Sequence, residues 1–344
     1  MGWLSGWKYR KKITIDSSKV DSDLTNFPVL VSLTSSNFDF GKALSSGNDI
    51  RFTESDGVTE LKYERERHNS SSQLAEYWVK IPSVSSSVDT YFYMYYGNSS
   101  ASDGSDATNV WASDTVLVTH MNDNPNSSSI KDSSSNANNG TKYSSDQPTE
   151  TDAKIARGQS FDGSNDYISI ADSSSLNITG NVTLEAWVKL SNTSQSVYAT
   201  AISLGSDSPS SGWGAGLRRG TSQNGFYIYI PSSEYSASFS SLDTNWHHLV
   251  GVRNGTTVYA YVDGSLTSSN SCSSGSLRHA NATNIGTLLL YSTTYINGII
   301  DEVRIFNTAK SSAWVKASYH STNNSLVSYG SEATRFTALL LNFL

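Results

Sequence analysis

The chain has 344 residues, 16% of them charged, and a formal net charge of −7. That length is enough for two sizeable cores. The acidic balance excludes a face that gathers enough cations to neutralise a nucleic-acid backbone. The one cysteine, Cys272, excludes an internal disulfide. Polarity is carried mainly by Ser, Thr and Asn, a surface associated with extracellular β-proteins more than with helical cytosolic enzymes. No apolar run approaches the roughly 18 residues that span a bilayer; the greasiest, Phe336 to Leu344, is too short. No apolar stretch ahead of a cleavage site follows Met1. The expectation is therefore a mature segment or fragment of an exported, extracellular or cell-surface protein.

In chain order, Trp7 to Ile15 alternates as a strand, Phe27 to Leu33 is a second, and Asn48 to Phe52 a third ahead of the turn Ser55-Asp56-Gly57. Leu61 to Glu64, Tyr77 to Pro82 and Asp89 to Asn98 continue the series. Short period-2 runs between turn signals, with no helical period, predict an all-β sandwich over residues 1–108. Tyr9-Arg10-Lys11 with Ile13 and Ile15, Asn26-Phe27-Pro28-Val29 and Asp49-Ile50-Arg51-Phe52 are followed by Trp78-Val79-Lys80-Ile81-Pro82 and Tyr93-Met94-Tyr95-Tyr96-Gly97-Asn98. This ordered set resembles a bacterial and archaeal family known only as domain-of-unknown-function family 2341. The resemblance implies a sandwich found in multidomain exported surface proteins, and no particular activity.

A polar linker at 109–115 leads to a second domain, expected over 116–330. Val116 to Met121 reads as a strand, Asp132 to Gly140 as a polar loop, and Ser160 to Ile168 and Val182 to Val188 as further strands. Asn245 to Gly264 reads as a hairpin: Trp246-His247-His248 enters it, Asn254-Gly255 turns it and Asp263-Gly264 closes it. Trp246 is the expected core anchor. With the closing Asp301-Glu302-Val303-Arg304-Ile305, these motifs resemble laminin-G-like domains of the concanavalin A type, which implies a jelly-roll sandwich. Residues 331–344 form an apolar tail outside that pattern, expected to be an extra strand, a subunit interface or the cut end of a longer chain.

Carboxylates for hydrolysis do not fall into place. Glu54, Asp56 and Glu60 flank a Ser-Asp-Gly turn, whereas retaining glycosidases need two carboxylates roughly 5 Å apart across the scissile bond. His247 and His248 are adjacent and point to opposite faces of a strand, so they do not chelate one metal together. No catalytic residue is assigned and the expected role is non-catalytic. The laminin-G resemblance implies a structural Ca²⁺ with Asp301 as first ligand, and Asp132 and Asn139 as partners; the competing role of Asp301 is an ion pair with Arg304 or a turn cap. For a glycan, aromatic faces beside hydrogen-bonding groups are needed. Trp213 between glycines, Tyr227 and Tyr229 on one strand face, and Tyr235 are the candidates. The reading is an extracellular binding or adhesion protein for carbohydrate or a cell-surface partner. The alternatives are a structural subunit that assembles through edge strands or its tail, and accessory domains of a larger glycoside hydrolase.

Overall fold

The computed structural model describes residues 2–143, 147–205, 215–220, 223–231, 233–278, 282–289 and 294–335. They fall into two units: residues 2–110 with 323–335, and residues 111–322.

The first unit contains β1 (Tyr9–Ile15), β2 (Leu24–Thr34), β3 (Arg51–Thr53), β4 (Tyr63–Asn69), β5 (Leu74–Val84) and β6 (Thr90–Tyr96), followed by a single turn of helix, α1 (Ala107–Val110). One sheet has the order β2-β5-β4; the other has β1-β6-β3 with a C-terminal strand added beside β1. Alternation sends Ile13, Ile15, Phe92 and Met94 inward, where they are fully or almost fully buried. Phe52 of β3 meets Tyr63 and Tyr77 of the facing sheet at ring-centroid distances of 5.3 and 5.6 Å. The acidic run near Glu54 is a turn: Gly57 has φ 81, and Asp56 accepts N–H bonds from Val58 and Thr59.

The second unit begins with β7 (Thr115–Thr119), β8 (Ser129–Ile130), β9 (Gly140–Tyr143), β10 (Thr149–Asp152), β11 (Arg157–Asp162) and β12 (Tyr167–Ile170). It continues with β13 (Val182–Leu190), β14 (Thr200–Leu204), β15 (Ala215–Arg219), β16 (Asn224–Ile230) and β17 (Ser233–Ser238). It ends with β18 (Trp246–Asn254), β19 (Thr257–Val262), β20 (Ser265–Ser271), β21 (Thr283–Ile285), β22 (Asn297–Phe306) and α2 (Ser312–Thr322). Two antiparallel sheets form, β10-β11-β22-β13-β18-β19-β20 with β7 also on β22, and β17-β16-β15-β14-β21-β12-β9-β8. Leu184, Ala186, Val188 and Ile305 from the first meet Leu217, Phe226, Ile228 and Ile285 from the second in one core. This is the expected all-β jelly-roll sandwich. The sheets approach so closely that a Cβ on Gly251 would lie 2.1 Å from the Phe226 ring, which is why a glycine interrupts the apolar run of β18.

Two local expectations are corrected. The hairpin between β18 and β19 turns on Gly255 and Thr256, since Asn254 pairs with Thr257; the positive φ falls on Gly255 alone, as a type II′ turn requires. Trp246 is half-buried, and the fully buried tryptophan of this region is Trp187. The helix α2 lies in a stretch whose sequence shows no clear helical period, because its buried face is built from Ala, Ser and Thr as well as Trp314 and Val315.

The C-terminal end differs most. Residues after the helix leave the second unit: β23 (Val327–Thr334) pairs antiparallel with β1 and joins the first. The sequence boundary at 330/331 thus falls inside a strand. Of the tail, residues 331–334 belong to that strand, which adds to the chain's own sheet; residues 336–344 lie outside the described residues.

Candidate binding face

In the sheet β17-β16-β15-β14-β21-β12-β9-β8, residues that point away from the core form a row. Cross-strand pairing aligns Ser236, Tyr227, Gly216 and Ser203, and continues through Asn284, Ser169 and Thr141. The middle of this row is covered: Ser203 Oγ donates to the Thr287 carbonyl at 2.8 Å, and Leu288 packs on Tyr227, leaving that ring 8% exposed. One end is open. Tyr143 and Tyr167 are cross-strand partners with ring centroids 4.8 Å apart, and Tyr295 extends the group at 6.4 Å from Tyr167. Tyr143 is 58% exposed. Burial, reinforced by Tyr143 and Tyr295, pushes the Tyr167 phenol up to about 12, so it stays protonated at neutral pH and can both donate and accept.

The expected aromatic platform is dispersed. Trp213 lies outside the described residues. Tyr227 and Tyr229 share the outward face, but Tyr227 is sealed by Leu288 and by the Arg218 guanidinium at 4.6 Å from its ring. Arg218 is itself buried and paired with Glu234 at 3.1 Å. Tyr229 is half-buried with Arg278 at 5.3 Å from its ring. Tyr235 is opposite the core residue Ile228 and packs on the core side of the sheet, so it does not join the other two. The tyrosines that do meet came from loops and short strands whose pairing no local pattern announces; the only local signal was Tyr167 at the end of the Phe161-Asp162-Gly163 turn motif.

The proposed calcium ligands are committed to protein donors. Asp132 is 3% exposed. Its Oδ1 accepts N–H bonds from Val118 and Ser134, and its Oδ2 accepts from the Ser134 hydroxyl and the Asn138 N–H. Asn139 Oδ1 accepts the Asp132 N–H at 2.9 Å, closing the loop on itself. Asp301 is fully buried and accepts N–H bonds from Ile155 and Glu302, both at 2.8 Å. Calcium needs six to eight oxygens turned to one point, and these oxygens are turned to N–H and O–H groups instead, so the set does not fit the ion. Arg304 pairs with Glu185 and Glu302, at 3.1 and 2.6 Å.

That arginine sits in a charged layer beneath α2. Glu185 Oε1 also accepts from the Ser318 hydroxyl at 2.6 Å and lies 3.0 Å from His248 Nε2. Burial raises the Glu185 carboxyl, but Arg304, His248 and Ser318 outweigh it and hold the group down, at about 2. His247 points the other way, to Asp263 and Asp243 at 2.9 and 3.1 Å, as adjacent strand residues must. No helix among the described residues is long and apolar enough to cross a membrane.

Residues 162–329 match the profile of the concanavalin A-like lectin/glucanases superfamily, and residues 46–146 match that of a domain of unknown function, DUF2341. The comparison with curated proteins gives no match. Among solved structures, domain 4 of a GH43 extracellular arabinanase from Geobacillus stearothermophilus, in complex with arabinotriose, is similar with a TM-score of 0.48 at 20% identity, over 59% of this chain and 96% of that one. The binding domain of Paraclostridial Mosquitocidal Protein 1 gives 0.46 at 13%, over 63% and 53%. The ligand-binding domain of botulinum neurotoxin serotype D, in complex with N-acetylneuraminic acid, gives 0.48 at 16%, over 62% and 52%. The chain thus spans about half the length of the two toxin domains. The fold assignment rests on the profiles and the strand order: a region matching the family of unknown function comes first, and a region matching the concanavalin A-like lectin/glucanase superfamily follows it.

Proposed function

We propose that this chain is a non-catalytic carbohydrate-binding protein of the cell exterior, and that it grips sugar with the open end of the outer sheet face in its second unit. The observation that carries this reading is the tyrosine shelf of Tyr143, Tyr167 and Tyr295, with Tyr143 58% exposed and its ring tilted against its neighbour at 4.8 Å. Pyranose rings stack their C–H faces on such rings, and the hydroxyls of Thr141 and Ser169 on the same face supply the polar partners that orient them. Glu185 and Glu302, two buried acids of this unit, are both paired with Arg304 beneath α2, and Glu302 also with His120, which favours binding over hydrolysis. The surface rich in Ser, Thr and Asn supports placement outside the cell.

The test is a glycan-array screen of the full chain, followed by titration calorimetry on any hit. Tyr143→Ala is expected to weaken binding by about 2- to 12-fold, since a stacking ring contributes roughly 0.5–1.5 kcal/mol. A hit that survives both Tyr143→Ala and Tyr295→Ala with unchanged affinity would move the site elsewhere. Release of reducing sugar by the wild-type chain would overturn the non-catalytic reading.

A further inference from the structure

The first unit holds a separate cavity of about 300 Å³, at the lower end of the roughly 300–1,000 Å³ range of small-molecule pockets. Tyr9 forms one side. Its half-buried ring rests against Tyr96 with centroids 5.5 Å apart. Gly97 passes so close, with φ +81, that a Cβ there would lie 2.6 Å from the Tyr9 ring. Lys42 stands over the same ring, Nζ 5.1 Å from the centroid, and is held there by Glu332 at 2.7 Å. Asp49, 1% exposed, ties two walls together by accepting the N–H of Leu44 at 2.9 Å and that of Gly97 at 2.8 Å. The cavity is therefore braced before any ligand arrives.

The carboxylates at this site are already engaged by protein donors. Asp49 spends its oxygens on backbone N–H groups, and Glu332 is shared between Lys42 and the Tyr96 hydroxyl. Lys42 has Glu332 at hydrogen-bond distance and Asp39 farther off at 3.8 Å, and keeps donor capacity beyond them, since an ammonium has three N–H bonds. Lys8, exposed at the rim with Ser99, has no carboxylate within ion-pair distance among the described residues. One aromatic ring, two ammonium groups and a hydroxyl around a monosaccharide-sized space fit a ring that carries its own carboxylate.

We propose that this cavity binds a carboxylated sugar residue of the hexuronic class. Its ring faces Tyr9, its carboxylate meets Lys8 and Lys42, and a ring hydroxyl reaches Ser99. The site is independent of the tyrosine shelf in the second unit and stands or falls without it.

The experiment is titration of the full chain with glucuronate and galacturonate, beside glucose, galactose, acetate and inorganic phosphate. Saturable binding of a uronate is expected, with the neutral sugars and acetate at least about 10-fold weaker. Binding should weaken with added salt, as a charge-assisted contact at an open site does. Lys8→Ala, at an exposed position that leaves the fold intact, is expected to cost about fivefold, and Lys42→Met more. Tyr143→Ala should have no effect here, which separates this site from the shelf. Absence of saturable uronate binding, equal affinity for the neutral sugar, or indifference to both lysine substitutions would each overturn the proposal. Phosphate or acetate binding as tightly as uronate would overturn the sugar assignment and leave a general anion site. Should Lys42→Met fold poorly through loss of its Glu332 contact, Lys8→Ala decides.

Discussion

Glu332 and Lys42 lie 290 positions apart in sequence and 2.7 Å apart in space. The second oxygen of Glu332 accepts from the buried Tyr96 hydroxyl at 2.6 Å, so one carboxylate on the last strand fastens two elements of the N-terminal sandwich. Burial raises the Glu332 carboxyl, but Lys42 and Tyr96 together bring it below its ordinary range. A depressed carboxyl contributes stability above its unfolded pKa and loses it as pH falls through the folded one. Glu332→Ala is expected to destabilise the first unit by about 1–2 kcal/mol, most of it from the Tyr96 hydroxyl left without an acceptor. A chain ending at 322 should lose the cooperative melt of that unit while keeping that of the second. Thermal melts followed by calorimetry check both; two unaltered transitions in the truncated chain would show β23 to be dispensable.

The buried layer beneath α2 gives a second expectation. Glu185→Ala leaves the Arg304 guanidinium short of a partner in a site where it is 2% exposed, and removing one member of a buried ion pair costs about 3–5 kcal/mol. Since the Glu185 carboxyl is held down to about 2, its contribution is complete above the ordinary carboxylate range and drains away as pH falls through about 4.5 toward about 2. Denaturant midpoints between pH 2 and 6 should fall steeply for the wild type and more shallowly for Glu185→Gln. Parallel curves would mean that the acid transition arises elsewhere.

Legibility in the sequence tracks the range of the contacts. Val182 to Val188 and Leu249 to Val262 announced themselves as strands because alternation and turn residues are local, and Asp263 and Gly264, with φ 51 and 77, occupy the left-handed turn that their types suggest. Whether Tyr227 was open or covered depended on Leu288, and which strand Val327 to Thr334 would join depended on β1, more than 300 residues earlier; neither is encoded in a nearby pattern. The charged layer did leave a trace. Glu185 amid Val-Thr-Leu and Ala-Trp-Val, and Arg304 between Val and Ile, are charges in runs otherwise buried on both faces. Such a position needs a partner, and the two charges supply one another across β13 and β22, with His248 adding to Glu185 and Glu302 of the same strand to Arg304.

For calcium, the geometry points against the ion and gives a specific outcome. Melting temperatures in Ca²⁺ and in chelator are expected to agree within about 1 °C, because Asp132 already satisfies four protein donors. Asp132→Ala should nevertheless lower stability by about 2–4 kcal/mol in either buffer, through the backbone N–H groups of Val118, Ser134 and Asn138 left unpaired. A rise in melting temperature with Ca²⁺ that disappears in Asp301→Ala would restore the metal and require these donors to swing away.

His247 supplies the last expectation, and its sign is opposite to that of the carboxylates. The hydrogen bond that the imidazole donates to Asp263 raises it above its ordinary value, with burial opposing and Asp243 adding to the rise. A group whose folded pKa is raised stabilises the protein fully below the unfolded value, near 6.5, and loses that contribution as pH climbs through the folded value. The wild type should therefore be more stable at pH 6 than at pH 8.5, by under about 1 kcal/mol, given the exposure of Asp243. His247→Gln should remove that slope while keeping the fold, since glutamine still donates to Asp263. A slope that survives in His247→Gln would show that the titration does not belong to His247.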